Sequence, residues 1–309
     1  MSVAPVAYDE FGLFHENAAE YGIPYDGPPV VRRVPVEIEP GRHLSALVWG
    51  DTPAELVLLH GGAQNAHTWD TVALALARPL VALDLPGHGH SDGSPHGTGG
   101  VWQHADDVAV ALEALAPVPV PVVGMSLGGL TSLALAGAHP DLVSRLVLVD
   151  VTPGVDAAKA APITAFVNGP ATFDSFDELL ARTIEFNPTR SVSSLRRGIL
   201  HNAVEQPDGT WVWRYARFRQ PASSGSGRTA TSATAVPDFA ALWEALGGLR
   251  CPLMLVRGMA AGSVVDDADE AEVRRRLPGV RVEHVAGAGH SVQGDAPLEL
   301  AALLDDFLT

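Results

Sequence analysis

The 309-residue chain has a single cysteine, Cys251, which excludes any disulfide within it. Cys251 stands before Pro252 at the mouth of an apolar run, the setting of a buried structural thiol rather than a reactive one. Positive charge is scarce. The 20 Lys and Arg are scattered among 36 Asp and Glu, for a formal net charge of −16. A phosphate-binding surface needs clustered cations, so nucleic acid and anionic membranes make poor partners. No segment approaches the ~18 consecutive apolar residues of a membrane helix. The opening MSVAPVAYDEFGLF has no basic region followed by a long apolar stretch, so it does not read as a secretory leader, and a cytoplasmic location is expected. The glycines at 87–93 lack the Lys and the following helix of a phosphate-cradling loop. His88 and His90 have no carboxylate or Cys partner at ligand spacing, so neither a metal nor an organic cofactor is expected. Oligomeric state is open, a homodimer included.

Apolar residues, by contrast, are plentiful at 47%, enough for a large core. Short apolar runs bounded by Gly, Pro or Asp alternate with longer segments of helical period. The runs are 55–60, 80–85, 120–125, 146–151, 252–257 and 280–285, preceded by two extended segments at 30–39 and 43–49. Such uninterrupted runs suit strands buried on both faces, as in a mostly parallel sheet with helices packed above and below. Helices are expected at 102–116, 127–138 and 268–277. Residues 1–29, rich in Pro, Gly and aromatics, read as an irregular arm. The stretch from 152 to 239 breaks the alternation. It holds helical patterns at 173–186 and 192–204, the aromatic run Trp211-Val212-Trp213-Arg214-Tyr215 and a Ser/Gly/Thr-rich stretch at 223–234. It reads as a mainly helical cap inserted after the sixth strand, dividing an α/β core into 1–151 and 240–309.

One segment carries chemistry directly. Gly124-Met125-Ser126-Leu127-Gly128-Gly129 follows an apolar strand and opens an apolar helix. A nucleophile elbow needs that context: the turn is so tight that the nucleophile is strained, and a Cβ at the flanking positions would collide with strand or helix. The hydroxyl of Ser126 is then presented at the carboxyl edge of the sheet, beside a helix N-terminus that favours negative charge.

With His60-Gly61-Gly62-Ala63, with Asp84-Leu85-Pro86-Gly87-His88-Gly89-His90-Ser91 and with Gly287-Ala288-Gly289-His290, this elbow makes the chain resemble the α/β-hydrolase fold superfamily from residue 30 onward. The resemblance implies a serine hydrolase of esterase or lactonase type. Ser126 would be the nucleophile and His290 the base, since an imidazole titrating near neutrality can take the Ser proton and return it to the leaving group. His60 and His88 match histidines such proteins keep for structure. The oxyanion donors would be the amides of Leu127 and, by resemblance, Gly62, although Gly62 also reads as a steric glycine.

The third member of the triad is less direct. Family members most often carry an Asp in the loop after the strand ending at Gly258, but Met259-Ala260-Ala261-Gly262-Ser263-Val264-Val265 has no acid. Asp266 and Asp267 look like the N-cap region of the next helix. Haloalkane-dehalogenase-like relatives place the acid after the sixth strand, where Asp150 stands here, and a carboxylate ending an apolar strand needs a partner such as His290. Asp150 is therefore the first choice and Asp266 the second, with a Ser-His dyad as the remaining possibility. Serine at position 126 argues against dehalogenase or epoxide hydrolase chemistry, whose members resemble this chain but carry Asp there. Ester or lactone hydrolysis through an acyl-enzyme leads. The alternatives are a C–C bond hydrolase or amidase of the same fold, and a catalytically silent small-molecule receptor. Trp211, Trp213 and Phe218 point to a nonpolar substrate, or equally to packing of cap on core.

Overall fold

Every apolar run singled out above is a strand, and its alternate side chains divide between two cores. The computed structural model describes residues 8–94, 100–155, 158–215 and 239–308. In chain order these hold α1 (Phe14–Tyr21), β1 (Val31–Glu39), β2 (Arg42–Trp49), β3 (Leu56–Leu59), a 3-10 turn (Ala66–Trp69), α2 (Asp70–Leu76), β4 (Leu80–Asp84), α3 (Val101–Leu115), β5 (Val120–Met125), α4 (Leu127–Ala138) and β6 (Val143–Val149). The inserted segment carries α5 (Ala161–Val167), β7 (Thr172–Phe173), α6 (Phe176–Phe186), α7 (Val192–Asn202), β8 (Ala203–Glu205) and β9 (Trp211–Trp213). The remainder is α8 (Phe239–Gly247), β10 (Leu253–Gly258), α9 (Asp267–Arg276), β11 (Arg281–Val285), α10 (Val292–Asp295) and α11 (Pro297–Leu308).

Eight strands form one sheet in the order β1-β2-β4-β3-β5-β6-β10-β11. β2 pairs antiparallel with both β1 and β4, and the pairings from β4 through to β11 are parallel. In β3, Val57 and Leu59 enter one core with α3, α4 and α8, whereas Leu56 and Leu58 enter the other with α1, α2 and α11. Covering both faces is why the runs are continuous rather than alternating. Burying one Val or Leu contributes about 1.5–3 kcal/mol, so four such residues in β3 outweigh propensity differences of about 1 kcal/mol.

Two expectations need correction. The N-terminal arm is not wholly irregular: α1 lies in it, because Phe14 is buried against Trp49 with ring centroids 4.9 Å apart. A helix of eight residues is marginal alone, so tertiary packing rather than propensity makes it. The insertion is mainly helical but also contains a three-stranded antiparallel sheet, β7-β9-β8. The helix expected over 192–204 ends at Asn202, where Ala203 and Glu205 pair with Trp213 and Trp211. Phe218 and the stretch at 223–234 lie outside the described residues.

Candidate active site

Ser126 follows β5 and is the N-cap of α4 with φ +50° and ψ −118°, a positive φ that a non-glycine residue adopts only under constraint. The constraint is close packing. A Cβ on Gly124 would overlap the Gly128 carbonyl, and one on Gly128 would overlap the Leu59 carbonyl of β3. Glycine at both places lets the turn fold against the neighbouring strand.

His290 sits in the loop between β11 and α10. That loop is held by the Gly289 N–H donating to Asp295 Oδ2 (2.9 Å) and the Ala260 N–H donating to the Ala288 carbonyl (2.9 Å). Its Nδ1 lies 2.9 Å from Asp150 Oδ2, and its Nε2 is buried with no hydrogen-bond partner among the described residues. Since a carboxylate only accepts, Nδ1 carries the proton and Nε2 presents its lone pair, a tautomer assigned from the partners.

Asp150 is fully buried at the end of β6, itself at φ +46°. Three further donors surround its carboxylate. Oδ1 accepts from the Gly258 N–H (2.9 Å) and the Ser263 hydroxyl (2.6 Å), and Oδ2 accepts from the Val264 N–H (3.0 Å). The loop after β10, where relatives most often carry an acid, thus supplies donors to Asp150 instead. These residues were missed in the sequence, although a serine in an acid-free loop was the signal. Asp266 is elsewhere occupied: it forms a capping box with Asp269 at the start of α9 and an ion pair with Lys159.

The amides of Gly62 and Leu127 make no hydrogen bond among the described residues. A methyl group added to Gly62 would lie 4.0 Å from Leu127 Cβ, so the two backbones face each other across the elbow. The adjoining Ala63 is held at φ +59°, and its carbonyl accepts from Asn202 Nδ2 of α7 (2.6 Å), which ties the cap to this loop. His60 is structural, as expected: its Nδ1 donates to the Gly61 carbonyl (2.7 Å) and its Nε2 accepts from the Leu85 N–H (2.9 Å). Burial lowers its pKa and, with the His60 ring beside it, pushes His88 down to about 3. Asp84 accepts from the amides of Ala66 and His90 and pairs with Arg33, holding the loop that follows β4.

Of the aromatic residues expected to meet substrate, Trp211 is turned into the cap's own core, edge-on to Phe176. Trp213 also joins that core, against Phe173 and Tyr215, and one side of it borders a cavity of about 150 Å³ between cap and core. That wall mixes polar groups, Gln64, Asn187, Arg190, Ser194 and Gln293 among them, with the apolar Phe166, Leu195 and Ile199. The basis for a nonpolar substrate is correspondingly reduced.

At one end of the cavity lie three buried groups that sequence gave no reason to join, His67, Asp70 and His201. Among the described residues they are a grouping with metal-binding composition, their ligand atoms within 4.8 Å of one another. The imidazoles, however, are stacked at 3.8 Å and 10°, so their in-plane lone pairs run parallel instead of converging on one ion. One ring would have to turn before a metal could be held. The observed arrangement is a charged network. Burial alone would lower the pKa of His67, but Asp70 at 2.9 Å and Glu10 at 3.1 Å reverse this and raise it to about 9. Burial and the charge of His67 keep His201 well below its ordinary value, so an imidazolium lies on a neutral imidazole. Arg33, which also binds Glu10, and Tyr8, which bonds His201, complete the surroundings.

This network makes stability depend on pH. A folded-state pKa raised from 6.5 to about 9 means stabilisation fully present below pH 6.5 and lost as pH rises through about 9. At 1.36 kcal/mol per unit the loss is about 3 kcal/mol. Urea unfolding between pH 6 and 9.5 should show this decline in the wild type and a flatter profile in His67→Gln. Parallel profiles would mean that His67 does not hold the proton.

Residues 55–297 match the alpha/beta hydrolase fold family. The chain is 42% identical over 308 residues to an esterase of Mycobacterium tuberculosis, Rv0045c, covering 97% of this chain and 96% of that one. A refined structure of that esterase has a TM-score of 0.83 against this chain, at 42% identity and covering 98% and 99% of the two chains. The 3-hydroxybutyrate-oligomer hydrolase of Cupriavidus necator is 28% identical over 260 residues, 82% of this chain and 88% of that one. With the sheet order and the strained turn at Ser126 already pointing the same way, the chain belongs to the α/β-hydrolase fold family.

Proposed function

We propose that the protein hydrolyses carboxylic esters by nucleophilic catalysis at Ser126. His290 Nε2 takes the proton from Ser126 Oγ as Oγ attacks the ester carbonyl. The carbonyl π electrons move to oxygen, and the resulting oxyanion is stabilised by the amides of Gly62 and Leu127. Collapse of this intermediate breaks the C–O bond, and His290 delivers its proton to the departing alkoxide. Water then repeats the sequence on the acyl-enzyme, releasing the acid and restoring Ser126. Asp150 holds the Nδ1–H tautomer and stabilises the transient imidazolium.

One observation carries this reading: a part-buried His290 bonded through Nδ1 to Asp150, with an Nε2 that has no hydrogen-bond partner among the described residues, on the same sheet edge as a serine held at φ +50°. Catalytic hydrogen bonds are often long before substrate binds, so the unpartnered Nε2 is compatible with a base. The esterase at 42% identity supports ester chemistry. An amide substrate is the second reading, supported by a 2-(acetamidomethylene)succinate hydrolase of Mesorhizobium japonicum that is 28% identical over 257 residues. A panel of p-nitrophenyl esters, lactones and p-nitroanilides of matched acyl groups separates the two. Ester turnover should exceed anilide turnover by more than a hundredfold, and the reverse order would replace the esterase reading with an amidase.

A further inference from the structure

Among the described residues, one cation on the wall of the cavity between cap and core, Arg190, forms no ion pair. Arg190 lies just before α7, and its guanidinium rests on Gly294, where an added Cβ would come within 2.7 Å of Cζ. Among the described residues its guanidinium donates to the hydroxyl of Ser194, while its Nε is sealed from solvent and has no partner. No ion pair to Arg190 is formed among the described residues. The charges of Asp295 and Glu20 act on it from nearby, but neither forms an ion pair with it, and Asp295 accepts from the Gly289 amide in the loop that carries His290. The other charges on the cavity wall are matched: Arg197 with Glu20, and His67 with Asp70. Burial presses the Arg190 pKa downward, but a guanidinium does not lose its proton in proteins, so the charge stays and is poorly solvated.

A chain of contacts joins this charge to Ser126. A methyl group on Gly61 would lie 3.3 Å from Ser126 Cβ, and the Gly61 N–H donates to Gln64 Oε1 (3.1 Å). Gln64 in turn accepts from Gln293 Nε2 (3.4 Å), and Gln293 is adjacent in sequence to the Gly294 on which Arg190 rests. Arg190, Gln64 and Gln293 all line the same cavity, which Ser126 and His290 do not themselves border, so Gln64 and Gln293 stand between the cavity and the serine.

We propose that Arg190 binds a carboxylate on the substrate, so that the preferred esters are those whose acyl chain ends in an acid, such as hemiesters of dicarboxylic acids. This rests on the ester reading above. The planar fork of Arg190 suits a carboxylate, and a charge-assisted pair in a desolvated site is stronger than one in water. A carboxylate there also relieves the unmatched charge, so binding and burial reinforce each other.

The test compares mono-p-nitrophenyl adipate with p-nitrophenyl hexanoate, which share chain length and leaving group. In the wild type kcat/KM should be tenfold to a hundredfold higher for the hemiester, with the difference mainly in KM. Arg190→Met should collapse that ratio at least tenfold, and Arg190→Lys should restore part of it. A strut without a binding role would change both substrates together and leave the ratio alone. A ratio near one in the wild type, or one unchanged in a folded Arg190→Met, overturns the inference while leaving ester hydrolysis standing. Free adipate is the arm that needs no turnover. It should raise the melting temperature of Ser126→Ala and fail to do so in Ser126→Ala/Arg190→Met. If neither ester is hydrolysed but this protection follows Arg190, the ester reading falls and the carboxylate site stands. If adipate gives no protection in Ser126→Ala, the site falls.

Discussion

Ser126→Ala is expected to lower ester turnover by roughly 10⁴-fold or more and to abolish labelling by a fluorophosphonate probe, with little change in melting temperature. The size follows from the way nucleophile, base and oxyanion donors act as one unit, so that loss of the nucleophile leaves only binding and charge stabilisation. The survival of the fold follows from local geometry. Ser126 Oγ makes no hydrogen bond among the described residues, so its removal orphans no buried partner. The strain at φ +50° is set by Gly124 and Gly128 fitting against β3 and α4, and alanine meets the same backbone constraint as serine. Labelling and turnover have to be lost together, because the probe reports the nucleophile and turnover reports the whole cycle. Turnover near the wild-type rate in a folded variant would remove Ser126 from the mechanism.

The elbow could be read in the sequence because its physics is local. Strand, turn and helix are contiguous, and the glycines are demanded by contacts within a few residues or by the immediately adjacent β3. The buried strands could be read for a similar reason, since two covered faces write an uninterrupted apolar run. Asp150 was legible as a carboxylate that ends such a run. What surrounds it was not: Gly258, Ser263 and Val264 lie more than a hundred positions downstream and converge only when β10 is laid beside β6. The same holds for the network of Glu10, Arg33, His67, Asp70 and His201, which gathers residues from four places in the chain. The cap misled for another reason. Its Trp211 and Trp213 alternate in a strand whose partners are short, and a small subdomain must spend its large aromatic residues on its own core. A sequence shows that such residues are present without showing which side of the cap they face.

Asp150→Asn is expected to cost at least roughly a hundredfold in kcat, with a smaller change in KM, whereas Asp266→Asn leaves both near wild type. Asparagine keeps the shape of Asp150 but replaces one acceptor oxygen with an NH₂ donor, and all four groups around that carboxylate donate to it. If the NH₂ takes the Oδ2 position, it faces the Val264 amide and His290 Nδ1–H. The imidazole then has to shift its proton to Nε2, the nitrogen that must be free to accept from serine. If it takes the Oδ1 position, the Ser263 hydroxyl can rotate to accept, but the Gly258 amide is left unpaired. Either way the negative charge opposite the imidazolium is gone and a buried N–H is stranded, which costs about 1–3 kcal/mol of stability. Rates therefore have to be compared well below the melting temperature of the variant. Asp266 differs in each respect. It is half-exposed, its role is the N-cap of α9, and asparagine caps a helix about as well as aspartate. A dead Asp266→Asn beside an active Asp150→Asn would move the acid to the loop after β10. Full activity in both would leave Ser126 and His290 working as a dyad, with the buried carboxylate of Asp150 serving only to anchor the loop at Ser263 and Val264.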